Sequence, residues 1–153
     1  MTFKSAMKKD IIKEICAALI VVLFVYTAVS KLLDMNRFIS TISVSPFPFM
    51  RTFAPFLGWI VPFIEIILAF LLITSKYQRI GFFGSAILLF LFEIYIGSLL
   101  VSGLHLPCSC GGVISKLSWK QHLIFNLFFI VLSLIPYYLE NRRDRRIGKT
   151  VTT

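Results

Sequence analysis

Acidic side chains are scarce in this chain, and histidine and tryptophan scarcer still. Its 153 residues contain seven Asp and Glu together, two His, two Trp and three Cys. Charge of either sign is missing from long stretches, which no soluble fold of this length tolerates, because part of every globule faces water. A soluble domain is therefore excluded, and there is no internal repeat or low-complexity tract. The shortage of cysteine limits the chemistry as well. Cys16 lies near the start of an apolar run, and the fourteen residues from it to Ser30 span about 21 Å of helix. It cannot reach Cys108 and Cys110. A relay through two dithiols needs four cysteines and is ruled out, so Cys16 reads as a small buried residue.

What the chain does have is apolar mass. Hydrophobic residues make up 58% of it, sixteen residues are Phe, and the mean hydropathy is +0.86. Four segments are long and apolar enough to cross a bilayer as helices, which takes about 20 residues. They cover about 15–33, 55–74, 80–101 and 119–139. The expected architecture is all-α and integral to the membrane, an antiparallel four-helix transmembrane bundle over residues 1–140. Residues 141–153 follow as a basic tail. The tight "SKYQR" (75–79) makes spans two and three a helical hairpin. The longer connection between spans one and two carries Phe47, Phe49 and Phe53 and reads as chain lying in the headgroup layer.

The net charge of +9 does not point to nucleic acid, because the basic residues cluster at the two ends and in one short loop. Lys4, Lys8, Lys9, Lys13, Lys76, Arg79, Arg142, Arg143, Arg145, Arg146 and Lys149 fall on one side of the predicted bundle. Lys31, Arg37, Arg51, Lys116 and Lys120 fall on the other. The positive-inside rule then places both termini in the cytoplasm and the loop between spans three and four outside. Trp59 and Trp119 fall near the outer ends of their expected spans, where indole favours the interface. Ala28, Val29 and Ser30 resemble a signal-peptidase site, but the apolar run is long and leads on to the next span, which favours an uncleaved helix.

That outer loop holds "HLPCSCGGV", residues 105–113. Exposed thiols outside the cytoplasm oxidise or bind metal. A disulfide between Cys108 and Cys110 closes a very small ring and is strained. Strain raises the reduction potential and suits a bond that is made and broken. Gly111 and Gly112 let the backbone turn and leave the sulfurs open to attack. His105 lies three residues before Cys108, and a nearby imidazolium lowers a thiol pKa. An alternative use of the same groups is a metal site with His105, Cys108, Cys110 and His122 as ligands. The spacing is not a recognised zinc pattern, so no metal is assigned.

Inside the spans, Glu65 and Glu93 are carboxylates in hydrocarbon and should face the bundle interior with partners. Tyr26, Thr27, Ser30, Tyr95 and Asn126 are the candidates. His122 and Asn126 are four apart and share a face of the last span, pointing into the bundle below the cysteine loop. Gly81 and Gly84 read as close-packing positions.

"SKLLD" (30–34), "PFIE" (62–65), the Cys-x-Cys followed by glycine, and "HLIFN" (122–126) occur in that order. In this the chain resembles the MauE branch of the DoxX-like membrane proteins across all four spans. The family loop usually reads Cys-Gly-Cys-Phe-Gly, whereas here it is Cys-Ser-Cys-Gly-Gly, with the thiol spacing intact. The resemblance implies a redox-associated protein of the bacterial inner (cytoplasmic) membrane. It implies a thioredoxin-like or exported partner and a part in forming or maintaining disulfides. Fold analogy to quinone-linked disulfide oxidoreductases makes the region near Glu65 the candidate entry for a quinone headgroup or a lipid. Two rivals stand beside thiol–disulfide exchange. One is a non-enzymatic membrane subunit that anchors or stabilises a partner in an export or biogenesis complex; the other is a metal-binding membrane protein.

Overall fold

The computed structural model describes residues 2–43, 47–102 and 119–151, with side chains described for 7, 10–43, 47–102 and 121–138. These residues form five helices: α1 (Thr2–Leu33), α2 (Met35–Ser43), α3 (Pro48–Ile73), α4 (Gln78–Val101) and α5 (Trp119–Val151). Four stretches are long and apolar enough to cross a membrane: Asp10–Leu33, Pro48–Ile73, Gln78–Val101 and Gln121–Tyr138. Only 33% to 44% of each span's most apolar window is buried within the protein. The rest, including Phe56, Phe63, Phe70, Phe90 and Phe128, points outward. Outward phenylalanines in such number are stable against acyl chains and not against water.

The long helices pack in a ring, α1 on α3, α3 on α4, α4 on α5, and α5 back on α1. Neighbours run antiparallel. Gln78 at the start of α4 donates to Glu14 in the first half of α1, while Lys31 near the end of α1 meets Glu65 of α3. At one end of the α4–α5 pair Phe83 stacks on Tyr137; nearer the other end, Asn126 bonds the carbonyl of Leu89. The core between the helices holds Ile20, Phe24, Leu72, Phe82 and Leu89, together with Cys16. Cys16 is buried with a free thiol, as its position in the sequence implied.

Small residues set the helix spacing. A Cβ on Gly81 would lie 3.0 Å from the backbone nitrogen of Leu72, and one on Gly84 would lie 2.6 Å from Leu68 Cδ2. In lipid, where apolar contact alone gives no preference for helix over acyl chain, such close approach is a main source of association. Ser85 and Ser133, both fully buried, donate to Gly81 and Phe129 carbonyls one turn back in their own helices. Their hydroxyls are thus satisfied without spreading the helices apart.

The structure departs from the sequence expectation in three places. The second span begins at Pro48, not Pro55, because Pro48 stands in the first helical turn, where its missing N–H costs no hydrogen bond. Pro55 and Pro62 then sit inside the helix. Trp59 is consequently about 17 Å from the helix start and not at its end. Secondly, part of the connection before it is α2, whose Phe38 and Ile42 are buried against α3 while Asn36, Arg37 and Ser40 are exposed. Gly58 makes the seat for α2: a Cβ there would meet Ile39 at 2.6 Å. Phe47, Phe49 and Phe53 remain exposed at the head of α3. Thirdly, the last helix continues past residue 139 to Val151, through the segment read as a basic tail. Its "ENRRDRR" is composed mainly of residues that lose little in a helix.

Candidate functional site

Lys31 and Glu65 carry the site. Helix direction brings them together, because every Cα–Cβ bond leans towards its helix N-terminus. α1 and α3 are antiparallel, so Lys31 leans back down into the bundle while Glu65 leans towards the end where α1 finishes. Lys31 Nζ reaches Glu65 Oε1 at 2.6 Å, with 2% and 1% of the two side chains exposed. Thr27, one turn before Lys31 on the same face, donates its hydroxyl to the same carboxylate oxygen at 3.1 Å.

The ammonium does more than pair with Glu65. It lies 5.6 Å from the centre of the Phe38 ring on α2 and 5.4 Å from that of Phe92 on α4, within the range of cation–π attraction. One side chain of α1 thereby engages α2, α3 and α4. Glu65, Lys31 and Thr27 also form one wall of a chamber of about 30 Å³. His122 and Asn126 of α5 also line it, and Leu23, Phe24, Leu89, Phe92 and Phe125 complete it. Both α5 residues are only 5% exposed, and Asn126 Nδ2 donates to the Leu89 carbonyl at 3.3 Å.

Thr27 and Lys31 belong to the last two turns of α1, and His122 and Asn126 to the first two of α5. The chamber therefore lies towards the end of the bundle to which residues 103–118 attach. Of the residues expected to matter, Glu65, His122 and Asn126 are brought together here. Glu93 is not: it follows Phe92 on α4 but does not line the chamber. Its buried Oε2 has no hydrogen-bond partner among the described residues. His105, Cys108, Cys110, Gly111 and Gly112 lie outside the described residues. Among those residues no group of three or more His, Cys, Asp or Glu is placed to hold a metal ion.

Of the candidate partners for Glu65, Thr27 bonds it and Asn126 shares its chamber. The strongest partner, Lys31, escaped the sequence reading because it was counted among the charges outside the membrane. A signal was present. Lys31 falls four residues after Thr27, on the same helical face, and a buried carboxylate calls for a cation. At about 30 Å³ the chamber has room for water-sized occupants, far below the 150 Å³ or so that takes a single benzene ring. A quinone headgroup does not fit it as it stands.

Four apolar spans in a helical ring, with an ion pair locked inside, define a multi-pass membrane protein whose polar centre is built by side chains from separate helices. The chain belongs to the MauE family, described as methylamine utilisation protein MauE, which it matches over residues 9–139, within the DoxX-like clan. The matched region takes in all four spans, the ion pair and the cysteine loop. Neither curated proteins nor solved structures give a match.

Proposed function

We infer that this MauE-family protein exchanges thiol and disulfide equivalents through Cys108 and Cys110 with a thioredoxin-like or exported partner on the extracytoplasmic side of a bacterial inner membrane. The family description, methylamine utilisation protein MauE, supports a part in methylamine utilisation. The observation that carries the reading is the anchorage of the helix that follows the cysteines. The first two turns of α5 are tied to α4 by Asn126, which donates to the Leu89 carbonyl, and bring His122 to the chamber of the ion pair. A reactive loop needs such a base, because a mixed disulfide with a partner pulls on the helix that carries it.

The exchange balances as follows. The Cys108 thiolate attacks one sulfur of the partner's disulfide, and the partner's other sulfur leaves as a thiolate and takes up a proton. Cys110 then attacks Cys108, closing the Cys108–Cys110 disulfide and releasing the partner's second thiol. In this direction two electrons pass to the partner. Run in reverse, the direction a strained, high-potential disulfide favours, the Cys108–Cys110 bond takes two electrons from a partner's dithiol and leaves the partner's disulfide formed. A second disulfide protein then re-oxidises the pair. Cys108 attacks first because His105 lies closest to it in sequence, and the glycines after Cys110 leave that residue free to resolve.

Cys110→Ser should therefore accumulate a covalent adduct with the partner on a non-reducing gel from the native host, and Cys108→Ser should not. Reductant should collapse the adduct. If neither variant traps anything and both support normal function, the protein is a non-enzymatic anchoring subunit.

Orientation has its own test. A membrane-impermeant maleimide, given to reduced cells whose outer barrier has been opened, should label Cys108 or Cys110 and spare Cys16. Labelling of Cys16 alone reverses the topology and removes the redox reading with it.

A further inference from the structure

α2 turns a polar face away from the bundle at a level where α3 is already inside its span. Ile39 of α2 meets Gly58, which lies about 15 Å along α3 from Pro48. α2 therefore runs beside the candidate span Pro48–Ile73 and not beyond its end. Phe38 and Ile42 face inward. Asn36, Arg37 and Ser40 are exposed, as are Phe56 and Trp59 of α3 at that level. Ser40 donates its hydroxyl to the Arg37 carbonyl and is satisfied within α2. The Arg37 guanidinium is not: among the described residues no side chain bonds or pairs with it. Asp34, exposed and three residues earlier, makes no ion pair with it either.

We propose that this corner binds an anionic phospholipid, with the lipid phosphate held at Arg37 and the positive field completed by Arg51. An exposed guanidinium beside a span extends its stem to the headgroup level, and phosphate oxygens match its planar fork bidentately. Arg51, in the first turn of α3, is exposed and also has no side-chain partner among the described residues. Two cations without counter-charges attract an anionic headgroup, and disfavour one that brings an ammonium of its own. The apolar part of the lipid has surface to lie on. Phe49 and Phe53 are exposed rings 4.5 Å apart at the head of α3, and Trp59 is exposed below them. The site is separate from the thiol chemistry proposed above, and its test does not read that chemistry.

Trp59 reports on the site, because it follows Gly58, the seat of α2, and is exposed. Trp119→Phe leaves it as the sole indole. The full-length protein in phosphatidylcholine nanodiscs is given a small fraction of phosphatidylglycerol with brominated acyl chains, which quench indole on contact. Brominated phosphatidylcholine at the same fraction is the comparison. Phosphatidylglycerol should be preferred about fivefold or more, the enrichment that one basic residue near an anionic surface supplies. In Arg37→Gln with Arg51→Gln the preference should fall to about one. The melting midpoint of that variant should match the wild type, because neither guanidinium holds another part of the fold. Equal quenching by the two lipids in the wild-type protein overturns the proposal and leaves the arginines to a protein partner. A preference that survives the double variant also overturns it, since the lipid then gathers at other basic residues. So does a lowered melting midpoint, which would mean that the arginines bond within the protein.

Discussion

Lys31→Met should destabilise the protein more than any other single change at the site. Met keeps most of the length and all of the apolar stem, so the loss is confined to the ammonium. That group pairs with Glu65 at 2.6 Å and faces the rings of Phe38 and Phe92. Its removal leaves a buried carboxylate without its counter-charge, at a cost of about 3–5 kcal/mol. In a chain of this size that corresponds to a fall in melting midpoint on the order of 10 °C. Adding Glu65→Leu should restore most of the loss, because a buried pair replaced by apolar side chains is often neutral. Thermal unfolding of the purified single and double variants in one detergent measures both. If Lys31→Met melts with the wild type, the pair contributes nothing to the fold.

Rescue of stability need not mean rescue of function, and the double variant separates the two. A protein with Met and Leu at these positions that folds but no longer supports its partner assigns the pair to activity. One that folds and works assigns it to assembly alone.

The second large effect is expected at Gly81. A leucine there drives its Cβ to within 3.0 Å of the Leu72 backbone nitrogen and of Leu72 Cγ. A backbone atom cannot rotate aside, so α3 and α4 must part along the hairpin. Overpacking of this kind costs about 1–3 kcal/mol or more. Gly84→Ala should be milder, since its nearest contact, at 2.6 Å, is the tip of the Leu68 side chain, which has other rotamers. Gly97 has nothing within 4 Å of its would-be Cβ. Gly97→Ala should therefore be neutral or stabilising by up to about 1 kcal/mol, the helix-propensity difference. The order Gly81, Gly84, Gly97 in melting midpoint is the result to look for. Equal effects at all three would mean that helix propensity dominates and close packing does not.

Much of this protein is legible without coordinates, because the bilayer imposes a simple rule on sequence. Backbone polar groups in hydrocarbon must be satisfied within the segment, so a run of about 20 apolar residues is a helix. Four such runs are plain in the chain, and all four are helices. The faces were legible too. The four-residue spacing of His122 and Asn126 implied a shared inward side, and both are buried on the chamber. Gly81 and Gly84 stood out as packing positions, and a Cβ at either would crowd Leu72 or Leu68 of α3.

What stayed hidden has a common cause. Proline and lysine carry two meanings each in a membrane chain, and only the neighbouring helices decide between them. Pro55 reads as a helix start, yet it lies within α3 because Pro48 takes the first turn. Lys31 reads as a charge outside the membrane that helps to orient the span, yet it turns inward to a carboxylate 34 residues away on another helix. Periodicity along one segment tells which residues share a face; it carries no information about which face of which other helix they will meet. Span number, span order and the Cys-Ser-Cys between the last two spans are properties of the sequence alone. The Lys31–Glu65 bond, its two aromatic rings and the chamber against His122 exist only because antiparallel packing leans side chains from separate helices towards one point.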